Sequence, residues 1–99
     1  VDILVAIRKV VRGAVSGAAD IGGDIATISV AAVEGTIEAT RNVGVDSSKA
    51  VSAAVKGVIH AADDIGSDAG STARKALLNA ASLPRDVIEQ AIAGSDKQD

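Results

Sequence analysis

Apolar and polar positions follow one another along this chain in a frame of eleven residues. From Val11 to Gln98 the frame is written eight times, and alternate copies match best. Asp20-Ile21-Gly22-Gly23-Asp24 is echoed 22 residues on by Asn42-Val43-Gly44-Val45-Asp46, and again by Asp64-Ile65-Gly66-Ser67-Asp68. Between them, Val11-Arg12-Gly13, Val33-Glu34-Gly35 and Val55-Lys56-Gly57 recur at the same interval. All charge except Asp99 falls in five of the eleven slots. Eleven residues in three turns is about 98° per residue. At that step the five charged slots form one arc of about 130°, and the six apolar slots fill the other side without interruption. A strand period of two would scatter the charge over both faces. The pattern therefore predicts an all-α protein.

Two architectures fit this periodicity. In the first, residues 1–82 form one long continuous amphipathic helix in a parallel homo-oligomeric bundle. The constant 22-residue interval is close to a whole number of turns, which favours this reading. In the alternative, about four short antiparallel helices are joined by Gly-x-Asp turns. There Gly22, Gly44 and Gly66 each stop a helix, and Asp24, Asp46 and Asp68 each cap the next. Phase leads us to prefer the continuous helix. In that setting glycine lets backbones approach, and Gly66 and Gly70 form a small-xxx-small pair on the apolar face. Ten glycines would leave a lone helix unstable, so a partner must cover the stripe. Pro84 has no N–H to donate, which ends or kinks the main helix near Ala81 and Ser82. A short helix over 83–93 and a polar tail over 94–99 are expected to follow.

Composition sharpens the picture of the buried face. The 99 residues are 47% hydrophobic and 23% charged, yet contain no Phe, Tyr, Trp, Met or Cys. Valine, isoleucine, leucine and alanine must do all the packing. Without cysteine there are no disulfides or thiolate metal sites. A net charge of −3 and the lack of aromatic stacking platforms argue against nucleic acid. The longest charge-free runs, Ile25 to Val33 and Ala76 to Leu83, are too short for a conventional lipid-facing span. A first residue other than methionine suggests a processed or partial chain. Either cytoplasm or a membrane surface is compatible with these features.

The period resembles that of right-handed hendecad coiled coils. Lys56-Gly57-Val58 and its 22-residue relatives also resemble the core of a synuclein repeat, and the 11/22-residue frame is similar to apolipoprotein repeats. From Val11 to about Ala81 the resemblance implies an amphipathic helix that packs on other helices or lies on lipid.

The candidate site is accordingly an oligomer interface. Val11, Val15, Ile21, Ile25, Val33 and Ile37 lie on the stripe in its first half. Val43, Val55, Ile59, Ile65, Gly66, Gly70 and Leu77 continue it. The arginine and aspartate flanks complement each other, pairing Arg41 with Asp46 and Arg74 with Asp68 between neighbouring helices. A face nearly half the cylinder wide suits three or more copies of the chain, a tetramer above all. The expected role is a structural self-association module: a stalk, spacer or oligomerisation scaffold of a larger assembly. A membrane-associated or membrane-inserted helical bundle is the alternative. No catalytic, cofactor or metal site is expected. His60 lies mid-way across the polar arc with no oriented companion, and the Asp-x-Gly-x-Asp segments lack the ligand spacing of a calcium loop.

Overall fold

The computed structural model describes residues 2–96. It contains five helices in chain order: α1 (Ile3–Asp20), α2 (Ile25–Thr40), α3 (Ser47–Ile65), α4 (Ser67–Asn79) and α5 (Arg85–Asp96), with no strand among the described residues. The long continuous helix is not what the chain adopts; the alternative of short helices joined at glycine fits. The bundle measures 35 × 29 × 25 Å, where an unbroken helix over residues 1–82 would run to about 120 Å at 1.5 Å per residue.

The physical reason lies at the junctions. Gly22 takes φ +85°, a left-handed conformation that costs glycine almost nothing. Its N–H reaches the Ala19 carbonyl (3.0 Å) and the Gly23 N–H reaches back to Ala18 (3.0 Å). This paired closure satisfies carbonyls that the end of α1 would otherwise leave bare. Asp24 then starts α2, its carboxylate accepting from the Ala26 N–H at 2.9 Å. Gly44 likewise takes a left-handed φ (+73°), after α2 closes through the Val43 N–H on the Thr40 carbonyl (3.2 Å), and Asp46 caps α3, accepting from Ser48 (2.9 Å) and Lys49 (3.2 Å). Asp2 opens α1 in the same way. Each cap contributes about 1 kcal/mol, which offsets part of the cost of breaking the helix, and packing of the helices on one another covers the stripe. The first three helices begin 22 residues apart, so the interval measures one helix plus its turn.

The third junction departs from that rule. Gly66 separates α3 from α4 with φ 158° and ψ 169°, and α4 starts at once on Ser67. Asp68 therefore falls inside the first turn of α4 instead of capping it. Further on, Pro84 precedes α5, which runs from Arg85 through Asp96; residues 97–99 of the expected tail lie outside the described part.

Helix α3 runs through the middle and packs against all four others. It is parallel to α1, since Leu4 and Val5 line the same cleft as Ser48 and Ser52, while Arg12 bonds Asp64 further down. The core is built of Val11, Val15, Val33, Val51, Val55, Val58, Ile59, Leu77 and Ile88. Burial of each such side chain stabilises the fold by about 1.5–3 kcal/mol. Alanine and glycine fill the tightest crossings. A methyl group on Gly57 would sit 2.5 Å from the Arg8 carbonyl oxygen and 3.1 Å from Val11 Cβ, so α1 and α3 touch there only because Gly57 has no side chain. On α2, Ser29 is buried with no hydrogen-bond partner for its hydroxyl among the described residues.

Candidate functional site

The apolar stripe is mostly covered by the chain itself. Val11, Val15, Val33, Val55, Ile59 and Leu77, expected at an interface between copies, are buried in the core of a single chain. Ile25 and Ile37 pack at its margin. Gly66 is the α3–α4 junction. Ile21, Val43 and Ile65 stand in water at helix ends, with Ile21 88% exposed.

The expected ion pairs are also redistributed. Arg41 pairs with Glu38 at 3.3 Å within its own helix end, and Asp46 is occupied as a cap. Arg74 turns away from Asp68 and bridges Asp63 on α3 (2.8 Å) and Asp96 on α5 (2.6 Å). Hydrogen bonding from the Arg74 guanidinium holds the Asp63 carboxyl below its ordinary value; partial burial opposes this, and the positive charge of Arg74 and then His60 add to it. Arg74 is held protonated even more firmly than usual, chiefly by those same two carboxylates. The pair needs room, and Gly70 supplies it. A methyl there would meet Arg74 Nη1 at 2.9 Å and Asp63 Cγ at 3.3 Å. Gly70 thus admits an ion pair within the chain, where the sequence pattern suggested contact with another helix. The Arg74 cluster joins α3, α4 and α5 and is structural.

What remains uncovered lies between α1 and α2. A groove of about 400 Å³ runs along both helices. From α1 it is walled by Ala6, Ile7, Val10, Val11 and Ala14; from α2 by Ala31, Ala32, Gly35, Thr36, Ala39 and Thr40. The two threonine hydroxyls are turned inward, donating to the Ala32 carbonyl (2.9 Å) and the Thr36 carbonyl (2.8 Å). The walls are therefore almost wholly apolar. Val10 stands up in the groove, 70% exposed, among alanines and a glycine.

Helical spacing puts charge on the outer flanks. Lys9, one residue before Val10, is exposed on the α1 side without an ion-pair partner among the described residues. On the α2 side Glu38 is exposed beside its partner Arg41, while Glu34 faces α4 and accepts from the Ser82 hydroxyl. Sequence reasoning marked Val11 but missed the rest of this groove. Its signal was the run of small residues Ala31, Ala32, Gly35 and Ala39 along one side of α2.

Among the described residues no three histidine or acidic side chains converge as a metal site would require, and no helix is long and apolar enough to cross a membrane. No protein-family model, curated protein or solved structure matches the chain.

Proposed function

We propose that this chain is a non-catalytic association module, a spacer or scaffold element of a larger assembly, and that it associates with itself through the α1/α2 groove. The observation carrying the reading is the groove itself, a continuous apolar channel with Val10 raised in its floor. Exposed apolar surface gathered in one place marks a contact surface, whereas scattered valines do not.

A second copy is the occupant that fits. A two-fold contact uses the same patch on both partners, so it needs a patch carrying both a projection and a recess. Val10 is the projection, and the small side chains Ala31, Gly35 and Ala39 form the recess. Laid across one another, the α1 flank of one copy, with Lys9, meets the α2 flank of the other, where the exposed Glu38 carboxylate, paired with Arg41 in the single chain, can accept from Lys9 as well. Such rim pairs set orientation more than affinity. The expectation of three or more chains rested on an unbroken stripe. A single groove suits a pair.

Sedimentation equilibrium tests this across micromolar to millimolar protein. The average mass should rise toward twice that of one chain, and the melting temperature should rise with concentration. Val10→Asp and Gly35→Glu should each hold the protein monomeric with unchanged helical circular dichroism, because Val10 is exposed and a Cβ at Gly35 meets nothing. A wild-type chain that stays monomeric throughout, or variants that associate as before, would overturn the reading. Recruitment of monomer to vesicles, lost in the same variants, would instead make the groove a lipid-contact surface.

A further inference from the structure

On the opposite flank of α1 lies a second depression of different chemistry. It has a volume of about 370 Å³ and is lined by α1 and α5 on either side of α3. Three of its side chains are cationic: Arg8 from α1, and Lys49 and Lys56 from α3. Ser48, Ser52 and Gln90 add neutral donors, and Leu4, Val5, Ala53 and Val87 provide apolar walls. No carboxylate lines it.

The arrangement is not an average sample of the surface. The chain is net negative, and Arg12, Arg41, Arg74 and Arg85 are each held by a carboxylate. Five described cations have no such partner, and three of them, Arg8, Lys49 and Lys56, open into this one cleft, while Lys9 and Lys75 stand elsewhere. The fold holds them there. Lys49, Ser52 and Lys56 lie on one face of α3, with Lys49 and Lys56 about 10 Å apart along its axis. The Gly57 contact presses α1 against α3 beside them, which carries Arg8 to the same opening. Asp2 and Asp46, at the starts of α1 and α3, each turn a carboxylate oxygen to the backbone N–H groups of their own helix, and neither lines the cleft.

We infer that this cleft binds a small phosphorylated molecule bearing more than one negative charge. Three unpaired cations and three neutral donors form a set that an acceptor-only, multivalent anion satisfies. A monocarboxylate would leave two of the cations unmatched. The volume is that of a small-molecule site, and the walls of Leu4, Val5 and Val87 suit a carbon skeleton between anionic ends. The inference is independent of the association reading, since no residue of this cleft lines the groove.

Inorganic pyrophosphate, titrated into the full chain at low ionic strength and followed by ¹H–¹⁵N correlation spectra, tests it. Saturable shifts should concentrate at Ser48, Lys49, Ser52, Lys56 and Gln90. Lys49→Gln with Lys56→Gln should weaken binding about tenfold or more, as should Arg8→Gln. Arg41→Gln with Lys75→Gln, which removes equal charge elsewhere, should change it less than about twofold. Dispersed spectra of every variant establish that each is folded. Absence of saturation, shifts spread evenly over the lysines, or equal weakening by the two double variants would overturn the inference. Binding to phosphatidylglycerol vesicles without any response to pyrophosphate would overturn it too, because a lipid surface would then be the phosphate source.

Discussion

Helices α1 and α3 carry the same 22-residue unit and run in the same direction, yet one is buried and the other half bare. α3 lies against every other helix, and ten of its residues are buried; in α1 only Val11 and Val15 are. In its first half the outer helix has the bulkier apolar sequence. α1 offers Ile3, Leu4 and Val10 where α3 has Ser47, Ser48 and Ala54, and α3 carries alanines at 50, 53, 54, 61 and 62. A helix surrounded by neighbours needs small residues so that backbones can close on it from several directions. One with a free flank can keep large apolar side chains, and they become the surface it offers. Burial here follows from position in the bundle more than from hydrophobicity along the chain.

The comparison can be broken most severely at Ile59. It is buried in the middle of α3, so Ile59→Ala should cost about 2–5 kcal/mol in chemical denaturation, whereas Val10→Ala in α1 should stay within about 0.5 kcal/mol for the monomer. Equal losses would mean that α3 is not the central helix. The α1–α3 contact comes next. Gly57→Val must push against backbone at Arg8, and we expect a loss of about 1–3 kcal/mol together with faster amide exchange throughout α1. A Gly57→Val protein with unchanged exchange in α1 would contradict that crossing.

The caps give a finer test. Asp46→Ala should lower global stability by about 1 kcal/mol, because α3 cannot loosen without disturbing its neighbours. Asp2→Ala should fray only the exposed first turn of α1 and cost less, as read by local amide exchange. The smallest effect concerns pH. Asp63 has its carboxyl held below the ordinary 3.8 by Arg74, so its contribution is complete above that value and is lost as pH falls below it. Both side chains are partly in water, which limits the effect to about 0–1 kcal/mol. Arg74→Gln should remove this acid-side dependence while leaving α1 unaffected; persistence of the dependence would assign it to another carboxylate.

Much of this protein was written in the sequence itself. Helix periodicity placed the charge on one arc, and the chemistry of Gly22-Gly23-Asp24 and Gly44-Val45-Asp46 named the turns, because both depend on residues a few positions apart. Whether those signals or the constant phase would prevail was not legible. Phase favours a rod only when a partner chain covers the stripe, and here the chain's own helices cover it. The third junction misled for a similar reason: Asp68 looks like a cap, but α4 begins before it. Tertiary structure alone decided which flank of α1 stays open as the groove. It also turned Gly70 toward an ion pair and brought Arg8 beside Lys49 and Lys56. These outcomes depend on how the helices dock on one another, and contacts between helices leave no trace in an eleven-residue pattern.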